Sequence, residues 1–409
     1  MIISSFIELF DGALNILKPI FNNIEYWLPF VLVWLFVDIW LRYVRAKWIS
    51  NIEWVILEIK LPKELYKTPV AMEVVLSALY QSASGKWFDQ YLKGRVKNWF
   101  SLELVSIEGE VHFFIRTNKI FKDTIEAQIY AQYPTAEVYE VPDYTKYVDY
   151  KGKEGDWSLW GTEFILSKKD AYPIKTYVDF GLDKEGVKEE YKTDPITSTL
   201  EFLGSIGKNE QVWIQILIQP TGKRFNEPGK WFKKRDWKDE GKDLIEDIIK
   251  KARKRSGGSE TSPVLLTEIE NNEIKAIERN ISKLGFDCGI RGVYLSKGEA
   301  FNLANIFSLA GAFRQYSSNE LNSFKPNNAT SFDFPWQDFK DIRVTKLKKN
   351  IFNAYKKRSY FYLPYKRKPF VLNTEELATI YHFPGGVAET PTFGRITSRK
   401  SEPPVNLPV

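Results

Sequence analysis

The sequence has very little cysteine and very little histidine. Its 409 residues include one cysteine, Cys288, and two histidines, His112 and His382. A single thiol cannot close an internal disulfide, and none of the three residues has neighbours at a spacing typical of metal ligands. The composition therefore indicates a reducing compartment. It shows no sequence pattern for metal-dependent or nucleophilic catalysis.

A phosphate-binding loop is also missing. The nearest stretches are GSIGKN at 204–209 and PTGKRF at 220–225. The first has two residues between its glycines instead of four and Asn209 where a hydroxyl is required, and the second has no leading glycine. We therefore predict a non-catalytic chain that has no cofactor and does not hydrolyse ATP by itself. An enzyme whose site is assembled from distant segments is the alternative.

Apolar and aromatic residues, in contrast, are abundant. Hydrophobic residues make up 44 % of the chain and aromatic residues 15 %, which is too much apolar surface for a disordered protein. The length is sufficient for about two or three domains. The net charge of +6 allows contact with nucleic acid or anionic lipid without selecting either.

One hydrophobic run, WLPFVLVWLFVDIWLRYV at residues 27–44, is long enough to span a bilayer. Tryptophan and tyrosine gather towards its ends, as in an aromatic belt. Arg42, Arg45 and Lys47 lie at the C-terminal end of the run, and cationic residues favour the cytoplasmic side. We expect residues 1–50 to form a single-pass anchor in the cell membrane, with an interfacial amphipathic helix first, the N-terminus outside and the body in the cytoplasm.

Beyond the anchor, the hydrophobic periodicity predicts an α+β fold. Residues 51–150 follow the order β-α-β-β-α-β of a ferredoxin-like domain. A longer copy of the same order spans 151–370, with Asp194 as the N-cap of its first helix, a second helix over 297–316, RSYFYLP at 358–364 as its last strand and a charged helical insertion at about 223–283. Glu108 and Gly109 predict a tight turn between two strands of the first copy, and Thr267 and Glu270 have the spacing of a capping box. The sequence thus predicts two ferredoxin-like units after a transmembrane helix. Chance similarity of two α+β patterns is the alternative to a repeat.

Basic residues alternate with aromatic ones in GKWFDQYLKGRVKNWF at 85–100. Such a mixture offers cations to phosphates and rings to bases, and beside a membrane anchor it equally suits anionic lipid. The runs at 233–235, 250–255 and 356–358 are similar in kind, and a solvated face is the simpler alternative for each of them. The candidate nucleic-acid or lipid contacts are Lys86, Trp87, Lys93, Arg95, Lys97, Lys233, Lys234, Arg235, Lys250, Lys251, Arg253, Lys254 and Arg255.

The segment VLNTEELATIYHFPG at 371–385 predicts a short helix, and the proline-rich SEPPVNLPV follows it. We interpret residues 371–409 as a docking region whose apolar face fits a groove on a partner. A helix that packs on its own domain is the alternative. The candidate docking contacts are Glu375, Glu376, Leu377, Ile380, Tyr381, His382 and Phe383.

Four stretches carry a resemblance to a known family: SLELVSIEGEVHFFIRT, IEAQIYAQYPTAEVYEV, GAFRQYSSNELNSF and VLNTEELATIYHFPG. They resemble the membrane-proximal N-terminal region of FtsK/HerA-type DNA-pumping ATPases of conjugation and type IV secretion, over most of residues 53–408. The motor with its Walker loops is missing here.

The resemblance implies a membrane scaffold or adaptor for a DNA-translocating ATPase supplied in trans as another chain. A membrane-tethered module that binds nucleic acid or anionic lipid without a motor is the alternative. Membrane lipid, DNA and further copies of the chain, as a homo-oligomer, are the other partners considered.

Overall fold

A computed structural model describes most of the chain: residues 23–62, 67–82, 85–152, 154–183, 193–223, 225–226, 234–255, 265–332, 334, 336 and 338–385. The predicted interfacial helix at the N-terminus, the proline-rich tail and Lys233 lie outside these residues. The chain divides into two compact units, Met1–Ile52 with Ala83–Val96 and Glu53–Ser82 with Lys97–Val409. The boundary predicted near residue 150 falls inside the second unit.

The described helices are α1 (Ile24–Ser50), α2 (Pro69–Ala78), α3 (Trp87–Tyr91), α4 (Lys122–Gln132), α5 (Pro195–Gly204), α6 (Trp237–Arg255), α7 (Glu268–Ser282), α8 (Leu303–Ala310), α9 (Ile342–Lys356) and α10 (Thr374–Ile380). The described strands are β1 (Trp54–Lys60), β2 (Phe100–Ile107), β3 (Glu110–Asn118), β4 (Glu137–Val141), β5 (Trp157–Leu166), β6 (Glu210–Pro220), β7 (Phe225–Asn226), β8 (Lys234–Arg235), β9 (Gly285–Lys297), β10 (Phe324–Asn327) and β11 (Phe370–Asn373).

Helix α1 belongs to the first unit and contains the predicted hydrophobic run. By length and composition it could cross a membrane. Its most apolar window is 0 % buried, and side chains such as Phe30 and Trp34 are 77 % and 68 % exposed. A row of large apolar side chains without protein around it is typical of a surface that lipid covers.

The second unit is built on one large antiparallel sheet. Among the described strands the order is β10-β5-β9-β6-β2-β3-β1-β4, and β11 pairs with β9. The two halves of the sheet meet where β2 pairs with β6, with Leu104 opposite Ile214. The α+β prediction is confirmed at this level.

A tight turn and a helix cap occur where the sequence predicts them. Strands β2 and β3 meet at Glu108 and Gly109, the turn expected from the sequence, where φ is +54° and +90°. Glycine suits the second position because a Cβ there would lie 2.8 Å from the carbonyl oxygen of Ile206. Helix α7 begins with the predicted capping box of Thr267 and Glu270.

Two hydrophobic layers cover the sheet. Helices α2, α4, α5 and α10 pack in the larger core with strand residues such as Leu104 and Phe113. Helix α9 packs in a second core with Val105 and Phe114. Because neighbouring residues of a strand point to opposite faces, these two cores lie on opposite sides of the sheet. Helix α9, which the sequence analysis did not identify, therefore closes the second face.

The last strand predicted for the second ferredoxin-like unit is wrong. Residues 358–364 form turns and bends, and strand β10 instead lies beside β5. Arg358 has a φ of +48°, which no strand residue adopts. Tyr360 and Phe361 are both buried, so the stretch also lacks the in-and-out alternation of an edge strand. The helix expected over 297–316 is shorter and spans Leu303–Ala310.

The C-terminal segment is part of the core of its own unit, so the predicted docking surface is wrong for the folded chain. Strand β11 pairs with β9, and α10 begins with a capping box of Asn373 and Glu376. An amphipathic helix needs a cover for its apolar face, and here the sheet supplies it. Each candidate docking contact is at most 1 % exposed: Glu375, Glu376, Leu377, Ile380, Tyr381, His382 and Phe383.

Polar side chains of this segment have partners inside the protein. Glu375 lies 2.9 Å from Lys283 and 3.3 Å from Arg279. His382 Nε2 lies 3.1 Å from the carboxylate of Asp194. Burial raises the pKa of Glu376 to about 8. These carboxyl groups and the imidazole hold the segment in place.

Candidate membrane-interface site

Residues 85–96 of the first unit form a closed loop around the short helix α3. Gly85 and Gly94 have φ values of +78° and +71°, which glycine adopts at no steric cost. The side-chain amide of Gln90 donates to the carbonyl of Gly85 at 3.1 Å. The backbone N–H of Arg95 donates to the carbonyl of Asp89 at 2.9 Å. These bonds give the loop a defined shape.

The loop packs on the C-terminal part of α1. The indole Nε1 of Trp40 donates to the carbonyl of Tyr91 at 3.1 Å. Gly94 approaches α1 so closely that a Cβ on it would lie 2.4 Å from the backbone carbonyl of Val44. Val44 itself is only 6 % exposed. The loop is thus fixed to α1 where the hydrophobic run ends.

Four large apolar side chains of the loop point to the outside and form what we term the aromatic patch. Trp87 is 65 % exposed, and its ring centroid lies 4.3 Å from that of Phe88. Rings with an apolar body and, in Trp and Tyr, a polar edge are enriched where a membrane meets water. The patch consists of Trp87, Phe88, Tyr91 and Leu92, each between 48 % and 65 % exposed.

Positive charge surrounds the aromatic patch. The loop carries Lys86, Lys93 and Arg95 against one acidic residue, Asp89. Lys93 Nζ lies 2.8 Å from Asp89, and its hydrogen bond lowers the pKa of that carboxyl. Since the Lys93 side chain is 69 % exposed, the pair is screened by solvent and leaves the surface cationic.

The other predicted basic contacts do not join this loop in the first unit. Lys97 belongs to the second unit and donates to the carbonyl of Pro220 at 3.2 Å. Arg235, Lys250 and Arg255 form ion pairs with acidic neighbours, at 2.6, 3.5 and 2.7 Å. Arg253 is half-buried, whereas Lys234, Lys251 and Lys254 are exposed. Of the predicted contacts that the structure describes, those at 86–95 thus lie together in one loop of the first unit, whereas the others belong to the second unit.

The contact with α1 was missed by the sequence analysis. Trp40 and Val44 were assigned to the anchor alone, and Gly94 to no role. The one available signal was the pair of glycines that flank the aromatic stretch, because glycine commonly marks a position where backbone segments approach closely.

Replacing Gly94 with alanine should detach the loop from α1. The substitution adds a strained φ, about 1–2 kcal/mol, and a Cβ 2.4 Å from backbone atoms that cannot move aside. Gly181→Ala is the matched control, because Gly181 has a φ of +69° and nothing within 4 Å of its Cβ position. Hydrogen exchange in peptides covering 86–95 should accelerate only in Gly94→Ala. Equal exchange in both variants would show that the close approach is unimportant.

Comparison with known proteins identified one family. The profile described as "Domain of unknown function (DUF8128)" matches residues 48–394. No curated protein matched the chain.

Proposed function

The chain belongs to the DUF8128 family, and we propose that it is a non-catalytic scaffold tethered to an anionic membrane surface. The observation that carries this proposal is the aromatic patch with its surrounding cations, fixed to the end of an apolar helix. An anchor alone needs no such loop. The combination suits a protein that binds the bilayer both through its hydrocarbon core and at its headgroups.

The proposed direction of insertion rests on the distribution of charge. Arg42, Arg45 and Lys47 lie at the C-terminal end of α1, and Lys86, Lys93 and Arg95 pack there with the loop. Cations concentrate on the cytoplasmic side of membrane proteins. The proposed topology is a single pass with the N-terminus outside and the body in the cytoplasm.

Lipid is a better ligand for the loop than nucleic acid. The aromatic patch belongs to a loop whose Tyr91 carbonyl is bonded to Trp40, a ring at the end of the hydrophobic run. A helix that spans the bilayer places this position near the headgroups, where Trp and Tyr rings are favoured. Exposed Phe88 and Leu92 also gain more from acyl chains than from a phosphate backbone.

The body of the scaffold is proposed to be a tandem of two ferredoxin-like units. The order β4-β1-β3-β2 in the first half of the sheet is repeated as β10-β5-β9-β6 in the second, and β2 pairs with β6. Each half then uses strands in the order fourth, first, third and second, as a βαββαβ unit does. This pairing supports an internal two-fold repeat around one continuous sheet.

A DNA-translocating ATPase supplied as another chain is the partner proposed from the family resemblance. Residues 375–383 are buried, so a motor would have to bind another surface. The scaffold role is supported by the chemistry of the histidines, since His112 lies 2.7 Å from Glu58 and His382 3.1 Å from Asp194. Both rings serve as structural ion-pair or hydrogen-bond partners.

The lipid contact can be tested with a fluorescent reporter on residue 88. Cys288 is fully buried, so a maleimide should label Phe88→Cys alone in the folded full-length protein. After reconstitution into phosphatidylcholine vesicles with phosphatidylglycerol, nitroxide-labelled headgroups should quench this probe. Tyr147→Cys, at a position 74 % exposed in the second unit, should be quenched far less.

The charge contribution has its own control. Replacing Lys86, Lys93 and Arg95 with glutamine should weaken quenching in anionic vesicles, by about 1 kcal/mol per removed charge, and leave phosphatidylcholine vesicles unaffected. Lys234→Gln in the second unit should change neither. A probe at 88 that remains as accessible to water as one at 147 would overturn the proposed lipid contact.

A further inference from the structure

Helix α9 has a charge distribution unlike that of the other helices described above. Residues 342–358 contain seven cationic side chains and no acidic one. Helix α6, in contrast, mixes both signs, and its Lys250 and Arg255 are paired with Glu246 and Glu270. The cations of α9 have no acidic partner on the helix itself.

The exposed cations of α9 form one line. Ile351, Phe352 and Tyr355 are buried in the second core, which leaves the opposite side of the helix to solvent. The exposed line, which we term the basic stripe, is Arg343, Lys346, Lys349, Asn353 and Lys357. Successive members are three, three, four and four residues apart. Because a helix turn has 3.6 residues and a pitch of 5.4 Å, this spacing places one polar group on each of about four turns.

Three lysines of the stripe keep their charge. Among the residues that the structure describes, Lys346 and Lys349 take part in no ion pair within 4 Å. Lys357 lies over the ring of Tyr365 at 5.9 Å, and a ring leaves the cation its full charge.

We propose that the basic stripe binds the phosphodiester backbone of a nucleic acid without reading its sequence. A line of cations at regular intervals matches a linear polyanion, and the Asn353 amide supplies a further donor to phosphate. A bilayer fits less well, because α9 already buries its apolar face against the sheet and a membrane-bound helix inserts that face. This proposal is independent of the lipid contact of residues 85–96.

The proposal predicts a specific salt dependence. Three phosphate contacts, from Lys346, Lys349 and Lys357, give a slope of log K against log salt of about −2.7 for duplex DNA and about −2.1 for a single strand. Affinity should therefore fall roughly 40-fold and 20-fold, respectively, between about 50 and 200 mM salt. Fluorescence anisotropy with labelled oligonucleotides, on the full-length protein in phosphatidylcholine nanodiscs, measures both slopes and shows which form is preferred.

The double variant Lys346→Gln/Lys349→Gln should reduce the slope to about a third of its wild-type value. Both side chains are exposed, so the melting temperature should remain that of the wild type. Lys250→Gln/Lys251→Gln on α6 removes the same charge and should leave the slope unchanged. The proposal is overturned if the α9 variant binds DNA like the wild type, or if binding ignores salt. It is also overturned if the variant loses affinity only for nanodiscs containing phosphatidylglycerol, which would make the stripe a membrane contact.

Discussion

A chain that ends after Lys368 should fail to fold, whereas one that ends after Gly385 should keep its body intact. The two truncations differ by residues 369–385, which contain β11 and α10. From Phe370 to Phe383 every residue is at most 6 % exposed. Removal would leave an open edge on the β9 strand and an uncovered part of the larger core.

The free energy of burial that the shorter chain loses explains why it should not fold at all. Burial of one large apolar side chain contributes about 1.5–3 kcal/mol, and six such side chains give roughly 9–18 kcal/mol. The net stability of a domain is only about 5–15 kcal/mol. The six side chains are Val371, Leu372, Leu377, Ile380, Tyr381 and Phe383.

A single substitution in the same segment should also destabilise the protein, by a smaller amount. The ring of Phe383 lies 5.3 Å from that of Phe113 and 4.9 Å from that of Tyr133. Phe383→Ala should cost about 3–5 kcal/mol, measured by chemical denaturation in detergent. A truncation after Lys368 that is soluble, monodisperse and as stable as the chain ending at Gly385 would mean that β11 and α10 are dispensable.

Local features of the fold were predicted well because they depend on neighbouring residues. The turn at Glu108 and Gly109, the N-cap of α5 by Asp194 and the capping box of α7 all occur as expected. Each involves side chains within about four residues of the backbone groups that they satisfy. The same is true of α1, whose length and apolar composition, both local properties, would allow it to cross a membrane.

The docking prediction failed for a physical reason. The periodicity of residues 374–383 shows that one face of the helix must be covered, but not whether the cover is a partner or the same chain. Strand β11 decided the outcome, because its pairing with β9 places α10 against α2. Such pairing depends on residues about 80 positions away in sequence, which periodicity does not report.

The candidate site likewise has some features that depend on neighbouring residues and others that depend on residues distant in sequence. The basic and aromatic composition of 85–100 was sufficient to select the loop, since composition is a local property. Its attachment to Trp40 and Val44 links residues 51 positions apart and needed the structure. The stripe on α9 was overlooked because Lys356, Lys357 and Arg358 were treated as a run, although only Lys357 of the three lies on the exposed line.

Arg358 illustrates how far a charge can depend on distant residues. Its side chain is fully buried, and Glu103, its partner, is 255 positions away in sequence. Nε and Nη2 donate to Glu103 at 3.0 and 3.1 Å, while Nη1 donates to Asp143 at 2.6 Å. Nη1 also donates to the carbonyl of Lys356 at 2.9 Å, and Nη2 to Asp143 at 3.1 Å. All five donors of the guanidinium are thereby used.

Arg358→Met should destabilise the protein by about 3–5 kcal/mol, because the substitution leaves the buried carboxylate of Glu103 without a cation. Methionine retains a side chain of similar length, and any residue other than glycine shares the strain of a φ of +48° at this position. Lys357→Met, the adjacent exposed position, should change stability by no more than about 0.5 kcal/mol. Denaturant unfolding of full-length variants in detergent measures both differences.

The pH dependence separates an electrostatic loss from a loss of packing. In the wild type, burial raises the pKa of Glu103, but the charge and hydrogen bonds of Arg358 more than offset it and hold that pKa below its usual value. The pair therefore contributes stability above the unfolded pKa of about 4.3 and loses it as the pH falls. Without Arg358 burial dominates, the pKa of Glu103 rises, and the stability of the variant declines as the pH increases.

The difference in unfolding free energy between wild type and Arg358→Met should thus widen from pH 5 to pH 8. Adding Glu103→Gln to the variant should recover part of the lost stability, since a neutral amide is cheaper to bury than an unpaired carboxylate. A difference that is constant with pH, and unchanged by Glu103→Gln, would assign the whole loss to packing.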